Sequence, residues 1–282
     1  MKKLSLLLCM VCVSYFVQAQ IVSPQPSPSA TLIQKVGLTD VTVEYSRPSM
    51  KGRTIFGDLV PTDKLWRTGA NANTKVTFSD DVVVDGQTLK AGSYAIFATP
   101  GKASWDVAFY TDTSNWGMPR KWDDTKIAAK TSVQVYPMPV NIETFTISLD
   151  DLTDSSAVIG ILWEKTYVGI KFTVPTDATV MSSIDKVMNG ADSGDYFTAA
   201  IYYLNAGKDI NKAKEWIDKS FSMNKKDPAF WQLRQQSLIY AKAGDKKEAI
   251  KIAKKSLAAS IEANNQDYVK MNKASIQEWG GK

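Results

Sequence analysis

Apolar and polar residues alternate with a period of two in short runs as far as Pro175, and recur at helical spacing beyond it. Val41, Val43 and Tyr45 fall on one face of a strand whose other face carries Thr42 and Glu44. The alternation returns at residues 75–79, and further runs at 82–84, 87–90, 93–99 and 105–110 are parted by Asp80-Asp81, Asp85-Gly86, Ala91-Gly92 and Pro100-Gly101. Asp-Gly is a favoured two-residue hairpin loop, and Pro-Gly punctuates a turn. Later runs at 143–149, 157–163 and 167–174 are rich in β-branched and aromatic residues, and residues 164–166 join the last two as a hairpin. Residues 111–140, with Trp116, Pro119, Trp122, Pro137 and Pro139, read as irregular. Short strands so spaced predict an antiparallel β-sandwich over residues 31–176, with a closed barrel as the alternative. Residues 20–30, holding Pro24, Pro26 and Pro28, form a Ser/Pro-rich lead-in.

Ten of the eleven prolines lie at or before Pro175, and the chain beyond it reads as helical and repeats. Tyr203-Leu204-Asn205-Ala206-Gly207 is answered by Tyr240-Ala241-Lys242-Ala243-Gly244, and residues 212–220 by 248–256 at an offset of 36 residues. Asp227-Pro228 opens a helix between them. Ala213 and Ala249 stand where paired helices approach closely, and residues 264–279 would cap the stack. Residues 181–282 therefore resemble a tetratricopeptide-like module of helical hairpins, slightly longer than that family's period of about 34. The fold class predicted for the whole chain is α+β, multi-domain. A module of this kind implies a protein or peptide partner. Its aromatics Tyr202, Tyr203, Trp216, Phe230 and Trp231 read as packing positions.

Lys2 and Lys3 precede an apolar run at residues 4–17, and Ala19/Gln20 offers a cleavage site, so residues 1–19 read as a signal peptide. The run is shorter than the roughly 20 residues of a membrane span. The mature chain is expected to be exported, periplasmic or extracellular, with no span after cleavage. Cys9 and Cys12 leave with the leader, so no thiol or disulfide is expected afterwards. Residues 20–180 carry 15 Lys+Arg against 17 Asp+Glu, and residues 181–282 carry 17 against 12. The basic excess is interleaved with acids at helical spacing, which is a solvated face and not a nucleic-acid groove.

The chain has no histidine. With thiols also gone, Ser-His-Asp and Cys-His catalysis, histidine-ligated zinc and thiol redox chemistry are excluded. Carboxylate pairs are left as candidates: Asp80-Asp81, Asp123-Asp124 and Asp150-Asp151, the first and third in turn contexts. Residues 150–154 lack the glycine and distal glutamate of a calcium loop, so no metal and no cofactor is expected.

Residues 45–74, YSRPSMKGRTIFGDLVPTDKLWRTGANANT, follow neither period. They hold three of the five arginines in the chain, Arg47, Arg53 and Arg67, with Asn71 and Asn73. Long irregular segments in compact domains are functional or close the fold in a special way. Arginine forks can bind a carboxylate or phosphate, or satisfy the loop's own carbonyls. The clamp reading ranks first and an anionic or saccharide ligand second. Trp116 and Trp122, beside Gly117, Pro119, Arg120 and Lys121, are candidates for a stacking platform.

The motifs YSRPS-x-KGR-x-IFG-x-LVP, WRTGANANT and AGSYAIFATP resemble the signature of an exported bacterial family, domain of unknown function 2911, over about residues 23–170. The resemblance implies domain boundaries and no activity. The reading that follows is a non-enzymatic binding or protein-interaction protein of the cell envelope. Its alternatives are a histidine-free, carboxylate-dependent hydrolase of an envelope saccharide, and a purely structural domain.

Overall fold

The computed structural model describes residues 23–224 and 227–281; the expected leader, with both cysteines, lies outside them. The chain divides into two compact units, one ending at Thr176 and the other beginning at Asp177.

Among the described residues the first unit has nine strands: β1 (Ser29–Val36), β2 (Thr39–Ser46), β3 (Lys75–Phe78), β4 (Val82–Val84), β5 (Gln87–Leu89), β6 (Gly92–Pro100), β7 (Ser104–Tyr110), β8 (Ile127–Asp150) and β9 (Ser156–Thr173). Their order is β1-β2-β3-β6-β7-β8-β9-β4-β5, and neighbours pair antiparallel. The order is open, with β1 and β5 at its ends, so the sheet is not the closed barrel held as the alternative. The long β8 joins its two halves, pairing with β7 through its first part and with β9 beyond.

Alternation places the core. Val41, Val43 and Tyr45 of β2 are buried while Asp40 and Glu44 face out. Each such apolar side chain contributes about 1.5–3 kcal/mol on burial. Residues from both halves of the sheet share one core: Phe78 tilts against Phe172 at 5.4 Å, and Tyr45 meets Phe145 edge-on at 5.9 Å. A second, smaller cluster covers the other face of β6 and β7, where Ala95, Phe97 and Tyr110 lie under Leu65 and Trp122.

Two strand boundaries differ from expectation. β1 begins at Ser29, inside the expected lead-in, and β8 begins at Ile127 and runs through Pro137 and Pro139, where the sequence reads as irregular. The register of β8 on β9 shifts between Pro137 and Ile142, so Pro139 falls where the ladder is already interrupted. The hairpin expected at residues 164–166 is present inside β9 itself. Glu164 has φ +54°, and Val174 N–H just past the strand donates to Ser155 O just before it at 2.9 Å, so the two arms lie side by side.

The second unit contains α1 (Thr176–Val187, its first residue in the β unit), α2 (Ser193–Asn205), α3 (Ile210–Met223), α4 (Phe230–Lys242), α5 (Lys246–Glu262) and α6 (Gln266–Glu278). Helices α2, α3, α5 and α6 start where Asp192, Asp209, Asp245 and Asn265 accept backbone N–H groups of the first turn. Ala213 and Ala249 are both fully buried, which lets neighbouring helices approach closely. Tyr203 meets Trp216 at 4.7 Å and Phe230 meets Tyr268 at 4.9 Å, as packing residues should. Trp231 is the exception: it is exposed, touching Phe197 edge-on at one side. No helix among the described residues is long and apolar enough to cross a membrane.

Candidate functional site

Residues 47–74 form no strand or helix, and their backbone makes isolated bridges to the sheet, such as Ser49 to Thr144 and Trp66 to Ala98. The polar side chains show how so irregular a segment is held. Arg47 donates from Nε to Phe145 O at 3.1 Å and from Nη2 to Thr146 Oγ1 at 2.8 Å, fastening the loop to β8. Arg53 folds back on its own loop, donating to Met50 O at 2.8 Å and Ser49 O at 2.7 Å. Asn71, at φ +59°, ties the lead-in to β2 by donating to Ser27 O and Ser46 Oγ. Asn73 is buried and donates to Gly117 O at 2.7 Å, holding the next loop in place.

Two glutamates that the sequence does not mark complete the bracing. Glu143 accepts Lys51 N–H on Oε1, and its carbonyl accepts Met50 N–H and Trp163 Nε1–H. The two carboxylate oxygens of Glu164 accept the Ile55 and Phe56 N–H groups, each at 3.3 Å. Their partners in the loop lie 92 to 109 residues upstream, so no local pattern could have signalled them.

Arg67 differs from its two neighbours. Its side chain makes no hydrogen bond or ion pair among the described residues, and its Nε is buried. The next residue, Thr68, is fully buried at φ +54°, and Gly69 follows at φ +137°. A β-branched residue at positive φ is an outlier costing about 1–3 kcal/mol, held only where its surroundings enforce it. Here Thr74 enforces it, its hydroxyl donating to Thr68 O. A Cβ at position 69 would press on Thr74 Oγ1 and Ser46 O, so glycine is required there on both counts.

These residues surround a cavity of about 450 Å³, lined by Pro26, Ser27, Pro48, Ser49, Lys51, Arg53, Leu59, Val60, Trp66, Arg67, Gly69, Ala70 and Trp163. The lining has three cations and no carboxylate. An aromatic cluster lies at its base: Trp66 and Trp163 are nearly parallel at 6.2 Å, with Phe56, Trp105 and Phe145 packed edge-on against Trp66.

Of the residues expected to form a site, Arg53 and Arg67 line this cavity, while Arg47, Asn71 and Asn73 brace the loop around it. Trp116 is 76% exposed on the loop that Asn73 fastens. Trp122 lies elsewhere, stacked on Tyr110 at 4.6 Å on the other face of β6 and β7. The carboxylate pairs are engaged locally. Asp123 caps a 3₁₀ turn, and the Thr125 hydroxyl and N–H hold it below the ordinary aspartate value. Asp124 accepts Trp122 Nε1–H, Asp81 pairs with Lys90, and Asp150 accepts Ser148 and Tyr167 hydroxyls. Among the described residues no group of three or more acids is placed to hold a metal ion.

The loop bearing Trp116 has an acid-sensitive tie. Lys126 and then Ser114 hydrogen-bond Asp112 and lower its pKa from 3.8 to about 2. A depressed carboxylate pKa favours the folded loop above pH 3.8, and that contribution fades as pH falls towards about 2. In Lys126→Met the Asp112 titration should move back towards 3.8, as followed by carboxyl-carbon NMR. An unmoved midpoint would show that the ion pair does not form in solution.

No curated protein and no solved structure matches this chain. Residues 27–172 match the family described as "Protein of unknown function (DUF2911)". That span takes in all of residues 45–74 and their partners on β8 and β9, and it is more than half of the 282 residues. The chain that builds this arginine-lined cavity belongs to the DUF2911 family.

Proposed function

We propose that this protein is an exported, non-enzymatic binding protein of the cell envelope, and that the cavity beside Arg67 takes an anionic ligand. The observation that carries the reading is Arg67: a guanidinium with a buried, unpartnered Nε, in a cavity with two more cations and no acid. Burying a charged donor without a partner is costly, and the strained Thr68 beside it adds to the cost. A bound carboxylate or phosphate would give the guanidinium the partner it lacks. The hydrolase reading has less support, because acid/base work needs two carboxyls facing the substrate and this lining supplies none. The purely structural reading accounts for Arg47, Arg53 and Asn71 but leaves Arg67 unexplained.

The tetratricopeptide-like reading of the helical unit adds a protein or peptide partner. Its support is an open groove of about 750 Å³ lined in part by Met188, Tyr196, Tyr203 and Trp216.

A thermal-shift survey of inorganic and organic anions at low ionic strength tests the binding reading. Anions should raise the melting temperature of the native protein by mass action, and the rise should vanish in Arg67→Gln. Equal shifts in both proteins, or none in either, would overturn it.

A further inference from the structure

The cavity offers its ligand two kinds of surface. We infer that the ligand is an organic dianion, in its simplest form a phosphate monoester, carried on a compact apolar body; this rests on the reading of the cavity as an anion site. The charge follows from the donors. Arg67 has its Nη1 and Nη2 donors left to offer, since only Nε is buried, and such a pair matches two oxygens of one phosphate. Arg53 commits Nε and Nη2 to Met50 and Ser49 carbonyls and keeps Nη1, and Lys51 Nζ makes no ion pair among the described residues. Three positive charges face one space with no carboxylate among them. A doubly charged head relieves their mutual repulsion better than a single charge.

The apolar body follows from other residues of the lining. Leu59 is 43% exposed there, and Trp66 is half-buried. Edge-on contacts with Phe56, Trp105 and Phe145 hold the Trp66 ring, so it cannot swing across to fill the space itself. A volume of about 450 Å³ is far more than an inorganic ion occupies and lies within the range of small-molecule sites. An inorganic anion alone would leave Leu59 and Trp66 facing water.

Calorimetric titration of the native protein at low ionic strength separates the parts of this inference, with phenyl phosphate, inorganic phosphate, benzoate and benzyl alcohol as probes. Phenyl phosphate should bind at least about tenfold tighter than inorganic phosphate or benzoate, and benzyl alcohol should not bind. Arg67→Gln should weaken phenyl phosphate by about tenfold or more while keeping the native circular dichroism. Leu59→Ser should weaken phenyl phosphate and leave inorganic phosphate unchanged. If inorganic phosphate binds as tightly as phenyl phosphate and both need Arg67, the anion site stands and the apolar body is wrong. If benzoate matches phenyl phosphate, the dianion is wrong. If no anion binds, or Arg67→Gln binds as well as the native protein, the anion site falls with the inference.

Discussion

Arg47→Met is expected to lower the unfolding free energy by about 2–4 kcal/mol, while Arg67→Met leaves it within about 0.5 kcal/mol of native or raises it. The two arginines are twenty residues apart in one loop, and their bonds explain the contrast. Arg47 makes two charge-assisted bonds to β8, and its loss also deprives the Phe145 carbonyl of a donor. Methionine keeps much of the stem's packing, so the change reports mainly on the polar head. Arg67 has no partner to lose among the described residues, and its removal takes away a buried, unpaired Nε–H. Urea unfolding of both variants measures the difference. Equal losses would mean that Arg67 is one more staple and would remove the main support for a ligand site.

Trp163→Ala should cost more, about 3–5 kcal/mol. The ring is 2% exposed and touches Phe56, Trp66 and Phe145, and its Nε1–H satisfies the Glu143 carbonyl. Truncation removes apolar contacts, opens a void and leaves that carbonyl with the Met50 N–H alone. Since Trp66 lies parallel to Trp163, the floor of the cavity should give way with it. Chemical unfolding together with near-ultraviolet circular dichroism would register both effects. A loss below about 1 kcal/mol would show that the cluster repacks around the gap, as some core sites do.

Most of the β unit was legible because a period of two is a local property. The run at Val41, Val43 and Tyr45 lies on β2 with those side chains inward. The first part of β8 was not legible, because Pro137 and Pro139 signal a break while the register shift that tolerates Pro139 depends on β9. The functional stretch was legible as a stretch and not as a set of roles. Three arginines in one irregular segment suggest carbonyl staples or an anion site, and the structure divides them. Which arginine staples depends on carbonyls of β8 and of the loop itself, positions fixed only when the sheet closes. Trp122 shows the same limit: it stands among loop residues in the sequence, yet Tyr110 and Phe97 supply the face it packs on.

The bracing of the loop also sets an order of events during folding. The bonds Ser49–Thr144, Arg47–Phe145 and Ile55–Glu164 span 95, 98 and 109 residues of chain. Closing such distances carries an entropic cost before any contact is gained, which places folds of this kind in the slower, millisecond-to-second range. At about 5–20 residues per second, the loop leaves the ribosome roughly 5–20 s ahead of the residues that hold it. The cavity is therefore a late product of folding, and any fragment ending before Glu143 contains nearly all its lining residues but none of the β8 and β9 clasps that shape it.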